Sequence, residues 1–203
     1  MRYLNKIVFI NSAAIRYSEV QLDGNIHLIG TQGVGKSTIL RAILFFYNAD
    51  TQRLGIPVEK KSYQDYYFPY ADSSIIYEVA REDGWFTVLS YKTMNRICYR
   101  FIASPYRPDL FIDEEGAPYP SDRIRSVLDK NGIKYSGAIS TYEEYRNILY
   151  GNSDNKRDYS CYSLMESGSY QNIIRTIQNV LLNSRLEADY IKQTIITSLN
   201  EAD

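Results

Sequence analysis

The sequence predicts a mixed α/β domain, and three observations predict it. An apolar segment, Asn25 to Ile29, runs straight into a glycine-rich turn that opens the apolar stretch Ser37 to Tyr47, a strand, turn and helix in succession. From Ser74 to Asp113 apolar residues recur with the alternation of strands, and Asp83-Gly84 marks a hairpin between two of them. Beyond Asp122 the spacing becomes that of helices.

Taken in order, Lys6 to Asn11 is a short apolar run and Ile15 to Leu22 alternates loosely, so both read as strands ahead of the one entering the turn. Ile39, Leu40, Ile43, Leu44 and Phe46 place apolar side chains on every side of the following helix, which predicts burial between layers. Leu54 to Tyr70 is polar and tyrosine-rich with Pro57 and Pro69, an irregular segment between two lobes. A β-rich lobe follows: Ser74 to Glu82, Trp85 to Tyr91, Arg96 to Ser104 and Leu110 to Asp113. A helix over Asp122 to Lys130 stops at Gly132. Another over Tyr142 to Tyr150 starts from Thr141, with Glu144 placed for a capping box, and stops at Gly151. After the polar loop Gly151 to Arg157, Ile173, Ile174, Ile177, Val180 and Leu181 follow helical spacing, and Ser184 with Glu187 caps a last helix carrying Ile191, Ile195 and Leu199.

Composition narrows the function classes. The 203 residues, 44% hydrophobic and 23% charged, suit one globular unit, and no apolar run of about 18 residues or N-terminal signal pattern is present, so a cytoplasmic protein without membrane contact is expected. Cys98 and Cys161 are too few for a disulfide framework and read as plain core or surface residues, while His27 alone makes no zinc or iron constellation. A net charge of -1 lacks the basic surplus of a chain that coats nucleic acid; Lys60-Lys61, Arg96 with Arg100, and Arg123 with Arg125 are its basic clusters, read as charged surface faces. The 20 tyrosines suggest amphipathic packing and nothing more specific.

The chemistry lies at Gly30-Thr31-Gln32-Gly33-Val34-Gly35-Lys36-Ser37-Thr38, which satisfies G-x-x-x-x-G-K-[ST] between an apolar strand and an apolar helix. Glycines let successive main-chain N–H groups point into one concavity, and the helix N-terminus adds its positive dipole end, which together bind phosphate oxygens. Lys36 is expected to serve the β- and γ-phosphates, Ser37 to ligate magnesium through its hydroxyl, and Thr38 to donate to the α-phosphate. ATP and Mg2+ are the expected cofactors.

Two short matches imitate a GTPase, Asp113 to Gly116 as D-x-x-G and Asn155 to Asp158 as N-K-x-D. Context opposes both: the second follows a polar loop instead of a buried strand, and Glu115-Gly116 before Pro118 reads as a hairpin turn. Asp113 and Glu114 also imitate the carboxylate pair that closes an apolar strand in many ATPases, yet Pro108 and Asp109 shorten that run and no L-S-G-G sequence stands anywhere, so the pair reads as a decoy. A self-contained nucleotide hydrolase and a nucleotide-bound protein-interaction module are the alternatives to the assignment below.

The run Ile7 to Asn11, then Val20 to Gly24, then the phosphate loop and Arg41 to Phe45, resembles the N-terminal head segment of structural-maintenance-of-chromosomes (SMC) ATPases, in particular the MukB-like branch that includes the SMC-like subunit of Wadjet-type plasmid defence. Tyr67 to Tyr70 with the strand Ser74 to Val79, and Gln178 to Ser184, extend the likeness. Gln32 stands where that family usually has asparagine. The resemblance implies an ABC-type half-head: residues 1–53 with the first strands, loop and helix, 54–120 with the irregular segment and meander, and 121–203 as a helical part ending in a coiled-coil root. It implies nucleotide contacts at Asn11 and Arg16 and a glutamine-loop residue, for which Gln64 is nearest. It further implies that a C-terminal head portion, carrying the signature and Walker B motifs, follows past Asp203. Two heads would dimerise on ATP and drive DNA entrapment or translocation, in chromosome maintenance or in defence against plasmids or phage, with kleisin-like or nuclease subunits as partners. The chain alone is then expected to bind nucleotide weakly and to hydrolyse ATP negligibly.

Overall fold

The computed structural model describes residues 2–22, 27–30, 35–48, 62–151 and 159–164. Strands β1 (Tyr3–Ser12), β2 (Ile15–Gln21) and β3 (His27–Gly30) precede α1 (Lys36–Asn48); then come α2 (Tyr63–Tyr67), β4 (Ser74–Arg81), β5 (Gly84–Thr93), β6 (Arg96–Ile102), α3 (Ser121–Lys130) and α4 (Tyr142–Leu149), with short 3-10 turns at Pro108–Leu110 and Ser160–Tyr162. The chain is mixed α/β around an antiparallel sheet. The helices over Ile173 to Leu199, the Gln178 to Ser184 match, Lys60-Lys61 and the loop at Asn155 to Asp158 lie outside the described residues.

The strands form a single six-stranded sheet in the order β3-β2-β1-β4-β5-β6. The expectation of two lobes is therefore corrected: β1 pairs antiparallel with β2 on one side and with β4 on the other, so the first strands and the meander share one sheet. The reason is visible in β1, whose Ile7, Val8, Phe9 and Ile10 are all buried. A strand that is apolar on both faces needs cover above and below and neighbours at both edges.

Period-two alternation divides these residues between two cores. Ile7 and Phe9 of β1, Ile75, Tyr77 and Val79 of β4, and Tyr99 and Phe101 of β6 face α1, α2 and α4. Val8, Ile10, Ile76, Leu89 and Tyr91 face α3 and the turn at Leu110-Phe111. The register between β1 and β4 shifts at Leu4/Lys6, so Asn5 is an extra residue there and Leu4 can join Ile7 on the first face. The Asn5 amide donates to the buried Glu78 carboxylate (2.8 Å), which also accepts from the Tyr106 N–H (2.7 Å). The outer edge of β6 is covered by residues 134–139, through main-chain bonds of Ala103 to Lys134 and of Tyr99 to Ile139.

Two further expectations are corrected. Leu110 to Asp113 is no strand: Pro108, with φ preset by its ring, begins a 3-10 turn, and only Ile112 makes an isolated bridge, to Pro118. The Leu54 to Tyr70 segment is not irregular throughout, since Ser62 caps the Asp65 N–H (3.2 Å) and starts α2. In α4 the Thr141 hydroxyl accepts from the Glu144 N–H (3.2 Å) and left-handed Gly151 follows its end. Cys98 is buried and Cys161 exposed. Among the described residues no helix is long and apolar enough to cross a membrane.

Candidate functional site

Strand β3 ends at Gly30 and α1 begins at Lys36, so the glycine-rich sequence sits at a strand-to-helix connection; Gln32, Gly33 and Val34 within it lie outside the described residues. Lys36 and Ser37 take the first two positions of α1, and no acidic residue stands in its first turn. The Thr38 and Ile39 N–H groups both return to the Gly35 carbonyl (3.1 and 3.2 Å), so the N–H groups ahead of them precede the first helical acceptor. Gly35 is exposed, and a Cβ built there would meet nothing within 4 Å. Packing by the described residues does not demand glycine at this position.

Helix α2 braces this first turn. The Tyr67 hydroxyl donates to the Thr38 carbonyl (2.7 Å), and the Tyr66 and Thr38 hydroxyls lie 3.1 Å apart. The Tyr66 carbonyl in turn accepts from the Ala13 N–H (3.2 Å) at the β1–β2 hairpin. Sequence reasoning missed Tyr66 and Tyr67 as parts of the site, because nothing in a Tyr-Tyr pair reports a partner 28 or 29 positions earlier.

The remaining sequence-predicted residues fall in two places. Gln64 lies half-buried on α2, two residues before Tyr66, and so belongs to the element against α1. Asn11 is near the hairpin, left-handed at φ 44°, with its amide donating to Asp72 (3.1 Å) and its carbonyl accepting from the Ser73 hydroxyl. Arg16 is exposed on β2. Asp113 and Glu114 lie elsewhere: they follow Phe111 and Ile112, which pack on the α3 side of the sheet, whereas α1 packs on the other. The Asp113 carboxylate accepts from the Glu115 N–H (2.9 Å) and the Ala117 N–H (2.8 Å) of its own turn, and Gly116 adopts φ 83° there. Glu114 is exposed at the tip. Of the basic clusters, Arg100 is buried, donating to the Ser136 carbonyl (2.7 Å) over the Tyr135 ring, and Arg125 pairs with Asp122 (3.0 Å). Arg96 is exposed, and so is Arg123, over the Tyr119 ring.

The same side of the sheet holds a row of tyrosines along α1. Tyr67, Tyr77 and Tyr145 donate to the carbonyls of Thr38, Ala42 and Phe46 (2.7, 3.0 and 2.6 Å), and Tyr150 donates to that of Tyr47. Burial raises the pKa of the Tyr77 and Tyr145 phenols well above the ordinary value, so these groups stay protonated donors. Helix α1 is thus fixed by its main chain as well as by its apolar side chains.

No curated protein and no solved structure matches the chain. A family associated with RecF/RecN/SMC-like proteins does match, over nearly the whole length. With residues 11–203 aligned to it, the chain belongs to the family described as Protein of unknown function (DUF3584).

Proposed function

We propose that this chain binds ATP with magnesium at the β3–α1 connection, as the N-terminal part of an SMC-like ATPase head of the ABC type. One observation carries the reading: α1 begins Lys36-Ser37-Thr38 with no acidic residue in its first turn. A cation at a helix N-terminus opposes the helix dipole and costs some tenths of a kcal/mol, up to about 1, unless an anion sits there. A phosphate group removes that conflict, and no described residue lies within 4 Å of a Cβ built at Gly35, beside which the group would sit. The association of the family with RecF/RecN/SMC-like proteins supports the choice among phosphate-loop classes.

In this reading the Gly33, Val34, Gly35 and Lys36 amides cradle the phosphates with Gly30 and Gln32 completing the loop, the Lys36 ammonium serves the β- and γ-phosphates, and the Thr38 hydroxyl serves the α-phosphate. The Ser37 hydroxyl would hold magnesium, which would supply positive charge to the phosphate oxygens when bound. Residues that polarise the attacking water come from the complementary head portion, since the Asp113 carboxylate is committed to its own turn across the sheet. A coiled coil leaves from the C-terminal helices. ATP shared between two heads shifts their dimerisation by its differential affinity, and hydrolysis reverses the shift, which converts binding into motion on DNA.

Isothermal calorimetry with Mg-ADP and Mg-ATP tests the site. The chain is expected to bind both, to turn over ATP negligibly by itself, and to lose binding in Lys36→Ala. Near-normal affinity in that variant refutes the assignment.

A further inference from the structure

We propose that Tyr66 is a positioning residue of the nucleotide site, donating its phenol proton to Thr38 Oγ1 so that the threonine proton is directed at the bound phosphate. The inference rests on the nucleotide reading above and adds to it a residue that no phosphate-loop pattern contains.

Thr38 and Tyr66 each offer one O–H donor and two acceptor lone pairs, and at 3.1 Å their hydroxyls can bond in either order. In one order Thr38 donates to Tyr66 and has no proton left for a ligand. In the other, Tyr66 donates and the Thr38 proton stays free. Phosphate oxygens only accept, so a bound nucleotide selects the second order, and Tyr66 stabilises it by filling a lone pair of Thr38. Without Tyr66 the Thr38 hydroxyl rotates among staggered positions, and binding has to fix it.

Three observations hold Tyr66 to this task. Its main chain is tied on both sides, the N–H to the Ser62 carbonyl (3.0 Å) and the carbonyl to the Ala13 N–H (3.2 Å). Its ring stands edge-on to Tyr67, with centroids 4.9 Å apart at 86°. Tyr67 in turn bonds the Thr38 carbonyl, so neighbouring tyrosines grip one threonine by its side chain and its main chain. Thr38 is 8% exposed whereas Tyr66 is 37% exposed, so the hydroxyl pair runs from the buried helix turn to the surface facing solvent.

The test is a double-mutant cycle on the full chain, reading Mg-ADP affinity by calorimetry and apo melting temperature by scanning fluorimetry. Tyr66→Phe keeps the ring and its contact with Tyr67 and removes only the hydroxyl, so a purely structural role of the bond to Thr38 predicts a lower apo melting temperature with affinity unchanged. The expected result is a loss of about threefold in affinity beyond any fall in the apo melting temperature, because the free protein holds this bond in either order and binding loses only its fixed direction and the polarised Thr38 proton. Thr38→Val, of the same shape, is expected to lose about tenfold, and adding Tyr66→Phe to it should cost nothing more. If Thr38→Val does not fold, Thr38→Ser keeps a hydroxyl, and Tyr66→Phe should again cost about threefold in that background. Wild-type affinity in Tyr66→Phe, or losses that multiply in the double variant, overturn the inference. Lys36→Ala separates the two levels: if it abolishes ADP binding while Tyr66→Phe is silent, only the role of Tyr66 falls. If Lys36→Ala binds normally, or the wild-type chain binds no ADP, the nucleotide reading falls and takes the inference with it.

Discussion

Ala13 and Ala14 close the β1–β2 hairpin between the paired residues Ser12 and Ile15, both in the left-handed region at φ 50° and 61°. A two-residue hairpin loop with positive φ at both central positions is the type I′ turn, which favours asparagine and glycine. An L-residue with a Cβ there costs roughly 1–2 kcal/mol, and alanine has no polar group to offset it. Ala13 is buried, with its N–H committed to Tyr66, so its replacement would disturb the brace on Thr38. Ala14 is exposed and can be changed alone. Ala14→Gly is expected to stabilise the chain by about 0.5–1 kcal/mol after the entropy of the new glycine is subtracted, raising the urea midpoint without changing the slope. A midpoint that falls would mean the hairpin is not strained. The sequence hides this feature, because Asn-Ser-Ala-Ala carries no glycine to announce a turn, whereas Asp83-Gly84 announced its hairpin to within one residue: Gly84 pairs with Arg81, and Glu82 with Asp83 makes the turn.

At the scale of elements, the legible parts were those whose cause is local. The β3–α1 connection is written in consecutive residues, as are the Thr141 cap and the stop at Gly132, and Pro108 is a local cause that simply outweighed the apolar pattern after it. The tyrosines were illegible because each partner lies far along the chain: Tyr145 and Tyr150 reach back 99 and 103 positions to α1. Their bonds do different work. Phe46 lies in the last turn of α1, where carbonyls have no intrahelical donor, so Tyr145 satisfies an orphan; Ala42 is mid-helix, and Tyr77 adds a second bond there. Tyr145→Phe is therefore expected to cost about 1–3 kcal/mol and Tyr77→Phe about 0.5–1.5, both measured by urea unfolding. Equal costs, or a larger one at Tyr77, would show that carbonyl satisfaction does not set the ranking. Aromatic stacking survives both changes, since Tyr99 lies against Tyr145 at 4.2 Å and Phe46 against Tyr77 at 4.9 Å through their rings.

Across the whole molecule, the start of the chain, the β4–β5 turn and the segment after α4 are joined by arginines. Arg81 donates to the carbonyls of Ser160 (2.7 Å) and Ser163 (3.0 Å), and Arg2 donates to the Ser163 hydroxyl (3.3 Å) and, through two nitrogens, to Glu82 (2.6 to 3.1 Å). These Arg2 bonds, with a backbone N–H second, hold the Glu82 carboxyl down from its ordinary 4.5 to about 2. A depressed carboxyl stabilises the fold above its unfolded value, so the contribution is present above pH 4.5 and is lost as pH falls toward 2. The Glu82 side chain is 49% exposed, so solvent screens the pair and its contribution at neutral pH is at most about 1 kcal/mol. Glu82→Gln keeps the shape and removes the charge. At pH 7 it is expected to lower unfolding stability by that amount or less, with the gap narrowing below pH 4.5, closing near pH 2, and shrinking in 1 M salt. Urea titrations at several pH values measure it. A gap that persists at pH 2 would assign the effect to packing of the β4–β5 turn, and the ion pair would then have no part in holding the first strand to the segment that follows α4.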